Sequence, residues 1–452
     1  MRSARAAGLA ACGAIFAGAF AGCGNTYRPV VATIGVVGPA GQPTKYAMAV
    51  SSPTPVGSPC PATGQPTSDG LLTMVDFSGD TVLVTATLGQ NPYFLQLNAA
   101  GTIGYTLNCD KTLTSFDIST SLISSQILES TLAPGANPVD IFSTTGTTYL
   151  ADPGVSAIDQ MSGTPPALEQ ELPIATGYKP IYVVGQSGAS RIYAISQSTS
   201  GGPGQAEAIE TSGNTISATL PTGRGPVYGV MTTDDRRAFI LNQTDGTVTV
   251  INAQNDALDT PVNTIAVGTR PVWADLASGL DELVVANEGT GTSQGSLTII
   301  NIPLCSATAL STNTNCDASN PVDATTFGQI VATVPVGINP IMVTVLSDYT
   351  RAYVANAGVA GLPCAANGVA VPGVSTTCTV SVVNLTSDTV TATIPINGHP
   401  AWIASSDATP TGKVYVVCND SQVMTVIETD TDSVDTTIPL QGYGVSVRVT
   451  AP

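Results

Sequence analysis

The chain has 452 residues, 43% of them hydrophobic but only 10% charged, with 45 Gly, 32 Pro and a formal net charge of −18. Acidity of this size repels phosphate backbones and excludes nucleic acid as a partner; its simplest role is to keep an apolar, Gly-rich chain soluble. Length alone allows two or three domains. The wealth of Thr, Ser, Val, Ile, Gly and Pro, with no long helical-period stretch after residue 23, instead predicts strands joined by turns.

The N-terminus reads as an address. Arg2 and Arg5 precede an apolar, small-residue stretch over 6–22, too short to span a bilayer comfortably. It ends Phe20-Ala21-Gly22-Cys23, which resembles a bacterial lipobox with Phe20 where Leu is usual. The resemblance implies lipidation of Cys23. Leu9-Ala10-Ala11-Cys12 fits the pattern better but leaves only about six apolar residues after Arg5, short of what a signal needs. We therefore expect a signal peptide over 1–22, a lipidated Cys23 with a tether over 23–43, and one folded body over 44–452. Residues 30–34 resemble an outer strand and have no clear place in this scheme.

A turn then recurs along the chain. It reads Gln-Asn-Pro92, Ala-Asn-Pro138, Gly-Tyr-Lys-Pro180, Gly-Arg-Gly-Pro226, Gly-Thr-Arg-Pro271, Gly-Ile-Asn-Pro340 and Asn-Gly-His-Pro400, with proline spacings of 46, 42, 46, 45, 69 and 60. Four spacings match a four-stranded blade, and the two long ones carry cysteine-bracketed insertions. Each turn opens an apolar strand such as Val272-Trp273-Ala274-Asp275-Leu276. A second strand follows (Arg351-Ala352-Tyr353-Val354-Ala355-Asn356), then a third (TVTVIN at 247–252, SLTIIN at 296–301, TVSVVN at 379–384), then a fourth (TVTATIPING at 389–398). The alternation of apolar and hydroxyl residues marks strands with two different faces. The fold class expected is all-β: a single β-propeller of four-stranded blades. The count is eight, or seven if one diverged early unit is misread. The unpartnered strand at 444–449 would complete the N-terminal blade and close the ring.

The cysteines suit an exported protein. With Cys12 and Cys23 set aside, seven of the nine remain. Cys305 with Cys316, and Cys364 with Cys378, would close the two long insertions, and Cys60 with Cys109 would join adjacent blades. Loops of this size gain on the order of 3 kcal/mol in the chain-entropy model. Cys418 is left over, placed against the alanines Ala355 and Ala286 of other units and read as a small buried thiol.

Tyr353-Val354-Ala355-Asn356, followed by TVSVVN, TATIPING and His-Pro, resembles the YVTN-type propeller repeat, best over 226–442. The resemblance implies the fold. It leaves function open among surface-layer proteins, lactonase-like enzymes, haem-d1-binding domains and quinoprotein-like subunits.

Chemistry is scarce in the sequence. A single histidine, His399, excludes multi-His metal sites and haem ligation by a His pair. No Gly-x-Ser-x-Gly, P-loop or EF-hand occurs. Asp234, Asp235, Asp430 and Asp432 lie in expected turns, where aspartates cap backbone N–H groups. We therefore expect no catalytic residue, metal or cofactor. The pre-proline residues should ring one mouth of the channel, where Lys179, Arg224, Arg270 and His399 form a basic cluster able to hold a small anion. The functional expectation is a lipid-anchored binding or scaffold propeller in the bacterial cell envelope, partnered by another envelope protein or a small anionic ligand. The alternative is an extracytoplasmic lactonase-like or quinoprotein-like enzyme with its site in the channel.

Overall fold

In the computed structural model each proline turn starts a strand at the channel, and three more strands carry each unit outward. The structure describes residues 45–55, 60, 68–119, 126–260, 262–303, 326–365, 368–406 and 412–450. Cys23, residues 30–34 and the Cys305/Cys316 pair lie outside the described residues.

Eight antiparallel sheets form eight blades. Blade 2 comprises Pro92–Leu97, Ile103–Asn108, Thr112–Asp117 and Ile127–Thr131; blade 3, Asp140–Ser143, Thr148–Asp152, Ala157–Ser162 and Ala167–Pro173; blade 4, Tyr178–Val184, Arg191–Ser198, Pro203–Glu210 and Thr215–Arg224. Blade 5 has Pro226–Met231, Arg237–Asn242 and Thr247–Asn252, with its outer edge split into Ala257–Leu258 and Thr264–Ala266. Blade 6 is Pro271–Ala277, Glu282–Asn287, Gln294–Asn301 and Ile330–Ile338; blade 7, Pro340–Val345, Arg351–Asn356, Thr379–Asn384 and Thr389–Pro395; blade 8, Pro400–Ser405, Lys413–Cys418, Val423–Glu428 and Ser433–Pro439. A 3₁₀ turn at Ser278–Leu280 is the one helix lying wholly within the described residues.

Closure follows the sequence expectation. Tyr443–Val449 pairs with Tyr46–Ser52, which continues to Asp69–Asp76 and Thr81–Gln90, so blade 1 takes its inner strand from the C-terminal end of the ring. The eight inner strands touch in succession, with Tyr443–Val449 lying between Pro400–Ser405 and Pro92–Leu97. Sheet-edge pairing thus joins the two ends of the body.

The repeat has a local physical cause. In the second strands Asn108, Asn242, Asn287 and Asn356 are buried, and each Nδ2 donates to two hydroxyls of the third strand: Thr112 and Thr114, Thr247 and Thr249, Ser296 and Thr298, Thr379 and Ser381. The glycine of the preceding turn packs against that amide. A Cβ added at Gly337 would lie 2.6 Å from Asn356 Cγ, and one at Gly268 would lie 2.6 Å from Asn287 Cγ. Only glycine permits that approach. Register corrects the sequence reading of Cys418: it pairs with Pro400 as Asn356 pairs with Pro340, so it takes the place of the asparagine, not of an alanine. It is a buried free thiol whose pKa is pushed up by burial and then by Asp420.

Blades are joined through the same strands. Tyr149, Tyr193 and Tyr353 are fully buried, and their hydroxyls reach Asn214, Asp256 and Asp432 on the next blade. These acceptors sit at positive φ in hairpins, a conformation Asn and Asp tolerate better than most residues. Arg191 and Arg351 add ion pairs to Asp256 and Asp432 across two of these interfaces, and Lys413 pairs with Asp80 between blades 8 and 1. The disulfide Cys60–Cys109 links blades 1 and 2, and Cys364–Cys378 closes the blade 7 insertion.

Candidate functional site

The proline turns gather on one face of the ring because each joins an outer strand to the next inner strand. Their backbones are fixed by carboxylates from the adjoining hairpins. Gln90 N donates to Asp110, Asn137 N to Asp152, Arg224 N to Asp245 and His399 N to Asp420, at 3.1, 2.9, 2.7 and 2.7 Å. Asn91, Arg270 and Asn339 adopt positive φ directly before proline, while Gly225 and Gly398 supply that conformation in their turns.

The four residues expected to bind an anion all lie in these turns, and each has a nearby partner. Arg224 Nε is 2.7 Å from Asp245 and Arg270 Nε is 2.9 Å from Glu288. Lys179 Nζ donates to the Pro153 carbonyl. His399 Nδ1 lies 2.6 Å from the Ala357 carbonyl, and its Nε2 is 3.8 Å from Asp420. The charge of the two arginines is therefore balanced locally, by carboxylates of blades 5 and 6.

What the mouth does contain is a cavity of about 580 Å³ over blades 7, 8, 1 and 2, lined by Tyr93, Asn339, Ile341, His399, Ala401, Asn419 and Val445 among others. Its lining includes amides, a phenol and an imidazole, with no carboxylate, amine or guanidinium. His399 also approaches the disulfide, with Cys378 Sγ 3.6 Å from Nδ1, and the two sulfurs and the imidazole lie within 4.8 Å of one another. Joined to each other, those sulfurs are not the thiolates that metal ligation requires.

Deeper in the channel lies a constellation that the sequence reading missed. Two residues after each proline, the inner strands place Phe94, Asp140, Tyr182, Tyr228, Trp273, Met342 and Trp402 at one level, and Ser446 takes the same register in blade 1. Five are aromatic and pack in series. Tyr182 lies 4.7 Å from Tyr228, Tyr228 stacks on Trp273 at 3.9 Å, and Trp273 meets Trp402 edge-on at 5.5 Å. Phe94 meets Trp402 edge-on at 5.9 Å. Arg448, two residues beyond Ser446, lays its guanidinium over Trp402 at 4.1 Å and donates Nε to the Leu95 carbonyl at 3.2 Å.

Two carboxyls share this interior. Asp140 accepts from Val183 N and Asp275 from Val345 N, both at 2.8 Å, so each ties one inner strand to the next. Burial pushes Asp140 up to about 7 and Asp275 up to about 6, against the pull of those backbone hydrogen bonds. Burial likewise lowers Arg448 from its usual range, while Tyr182, Tyr228 and Asp140 oppose the shift.

Fold and mouth together define an eight-bladed propeller with an aromatic-walled channel. No protein-family model matches the chain, and no curated protein matches it by sequence. Solved structures share the fold. Dihydro-heme d1 dehydrogenase NirN in complex with DHE aligns at TM-score 0.59 and 10% identity, over 88% of this chain and 79% of that one. Apo AztD from Citrobacter koseri aligns at 0.55 and 10%, over 90% and 97%. Kuenenia stuttgartiensis hydrazine synthase aligns at 0.50 and 15%, over 69% and 89%. At these identities the likeness is one of fold.

Proposed function

We propose that this chain is an exported propeller of YVTN type, anchored to a bacterial envelope membrane through a lipid on Cys23, that binds a ligand or partner protein at its proline-turn mouth and performs no chemistry of its own. The mouth cavity carries the reading. Its walls offer hydrogen-bonding and apolar surface but no acid, amine or paired nucleophile and base of the kind catalysis uses. His399 fits a structural part, because its ring is engaged by the Ala357 carbonyl and its backbone by Asp420. Export is supported by the two disulfides, which persist in oxidising compartments. No helix among the described residues is long and apolar enough to cross a membrane.

Two variants test the reading. Cys23→Ser should move the protein from the membrane fraction to the soluble fraction, or leave it as an unprocessed precursor. Ala401→Trp, which fills the cavity, should remove any species that native mass spectrometry finds on protein released from membranes with mild detergent. Wild-type fractionation by the Cys23→Ser protein would refute the anchor. A bound species retained by Ala401→Trp would refute the mouth as the site. Turnover of a lactone or a reduced quinone by the wild type would establish the enzymatic alternative.

A further inference from the structure

Arg448 lies on the inner strand of blade 1, two residues beyond Ser446. The guanidinium has five N–H donors. Nε is satisfied by the Leu95 carbonyl, and the face of the group is covered by Trp402. Among the described residues no carboxylate stands within ion-pair distance of Arg448, and no protein acceptor is bonded to its two terminal nitrogens. The titratable groups that act on it electrostatically are the phenols Tyr182 and Tyr228 and the carboxyl of Asp140. Asp140 already accepts from the Val183 backbone. Arg448 is only partly solvent-accessible, at a position enclosed by eight inner strands. A half-desolvated cation with a free planar fork calls for a planar anion able to accept two parallel hydrogen bonds.

The walls describe the rest of the ligand. Tyr182, Tyr228, Trp273, Trp402 and Phe94 form a continuous aromatic arc, and Trp273 and Tyr182 keep part of their surface accessible. Such surfaces take flat apolar groups by stacking or edge contact. Charge limits the valence: one guanidinium shares the channel interior with two carboxyl groups, so the site can balance no more than a single negative charge, and a phosphate dianion is opposed. The mouth cavity lies close by along the chain: Ala401 and Val445 line it, and Trp402 and Ser446 are the next residues in the same strands.

We propose that the channel binds an organic monocarboxylate with a flat, apolar body, its carboxylate held in the fork of Arg448 and its body against the aromatic arc. This deepens the binding reading of the mouth and rests on it only for the route of entry. It is independent of the lipid anchor.

The two tryptophans of the chain, Trp273 and Trp402, both belong to the arc, so fluorescence excited selectively at tryptophan reports on this site alone. The probe is benzoate, with benzyl alcohol and inorganic phosphate as controls. Wild type should show a saturable fluorescence change with benzoate. Benzyl alcohol and phosphate should bind at least tenfold more weakly. Arg448→Gln should lose at least tenfold in benzoate affinity, and Arg448→Lys should recover only part, because lysine restores the charge but not the fork. A second readout uses wild type alone and stands even if a variant fails to fold. Iodide should quench the tryptophans more efficiently than neutral acrylamide relative to free tryptophan, and benzoate should protect against it. Equal affinity for benzoate and benzyl alcohol, unchanged affinity in Arg448→Gln, or no protection against iodide would each overturn the proposal. Loss of the mouth species in Ala401→Trp alongside intact benzoate binding would separate the two sites.

Discussion

The hydroxyl of Tyr193, on blade 4, lies 2.9 Å from the carboxylate of Asp256, on blade 5. Arg191 Nε approaches the same carboxylate at 3.0 Å, so one aspartate at a hairpin tip ties two side chains of its neighbour. The phenol ring is fully buried, and its hydroxyl has this acceptor in place of water. Tyr193→Phe keeps the packing and removes the bond. Since Arg191 still satisfies Asp256, the loss should stay near that of an ordinary hydrogen bond, about 1 kcal/mol. Urea unfolding should show a lower midpoint with an unchanged slope. An unchanged midpoint would mean that the bond contributes nothing to the join between blades.

Closure has a larger expected effect. Deleting residues 443–452 removes the inner strand of blade 1, exposes the edge of Tyr46–Ser52 and uncovers the contacts of Pro400–Ser405 and Pro92–Leu97 with that strand. It also removes Val447, which is fully buried. Aggregation or a large fall in melting temperature is expected, because unpaired edges and uncovered core surface act together. A truncated chain that stays monomeric and melts like the full-length one would show that the ring does not depend on this strand.

The contact of Gly337 with Asn356 explains why the turn glycine recurs. Gly337→Ala would bring a Cβ to 2.6 Å from the Asn356 Cγ, an overlap that must move either the turn or the amide. Overpacking of this kind typically costs about 1–3 kcal/mol. Asn356→Ala alone leaves the Thr379 and Ser381 hydroxyls without their donor and should also destabilise. Combined, the two changes should cost less than their sum, because the smaller side chain makes room for the new methyl group. A double-mutant cycle measured by chemical unfolding checks this; strict additivity would count against the contact.

The fold was legible because its markers constrain the backbone. Proline fixes φ where each inner strand starts, and glycine permits the close approach to the buried asparagine. Cys418 went astray because Tyr415-Val416-Val417-Cys418 keeps the tyrosine but loses the asparagine that marks the register. The channel constellation had a readable part: Phe94, Tyr182, Tyr228, Trp273 and Trp402 each follow a turn proline by two residues. Charge in the turns drew the reading toward Lys179, Arg224 and Arg270 instead, and their partners Asp245 and Glu288 come from hairpins about twenty residues on. Arg448 had no local signal, because Gly444 stands in its strand where the other units carry proline.

Buried carboxyls give the propeller a pH dependence whose sign can be worked out. Glu207 occupies the place of Thr249, accepts from Ser196 and Gln205, and is pushed up to about 7 by burial. A carboxyl with a raised folded pKa takes up a proton on folding. Its stabilising effect is complete below the unfolded value, near 4.5, and is lost as pH rises through about 7. Melting temperature should therefore be higher at pH 5 than at pH 8. Relief of the general negative charge acts in the same direction, so the specific test is Glu207→Gln, which should flatten part of the slope. Parallel pH curves for the two proteins would remove Glu207 as a cause.

Three interfaces between blades share an ion pair that a fourth replaces with two acids, and the contrast suggests a stabilising change. The first residue of the second strand is Arg191 in blade 4, Arg351 in blade 7 and Lys413 in blade 8, and each pairs with a carboxylate on the next blade: Asp256, Asp432 and Asp80. In blade 6 that position is Glu282, and the residue at the facing hairpin is Asp388. Two carboxyls thus meet where the pattern places a cation and an anion. One oxygen of each, Glu282 Oε2 and Asp388 Oδ1, is buried without a hydrogen-bond partner. Burial, and then Asp388, pushes Glu282 up to about 7, and burial raises Asp388 as well. Glu282→Arg should convert the repulsive contact into the ion pair found at those three interfaces. The gain in melting temperature should be largest at pH 8, where both native carboxyls are ionised, and should shrink toward pH 5, where Glu282 is protonated and the repulsion is already relieved. Differential scanning calorimetry of the two proteins across that range checks both the sign and the trend. A variant that melts lower than wild type at pH 8 would show that the arginine cannot reach Asp388, and a gain independent of pH would show that repulsion between these carboxyls is not what it removes.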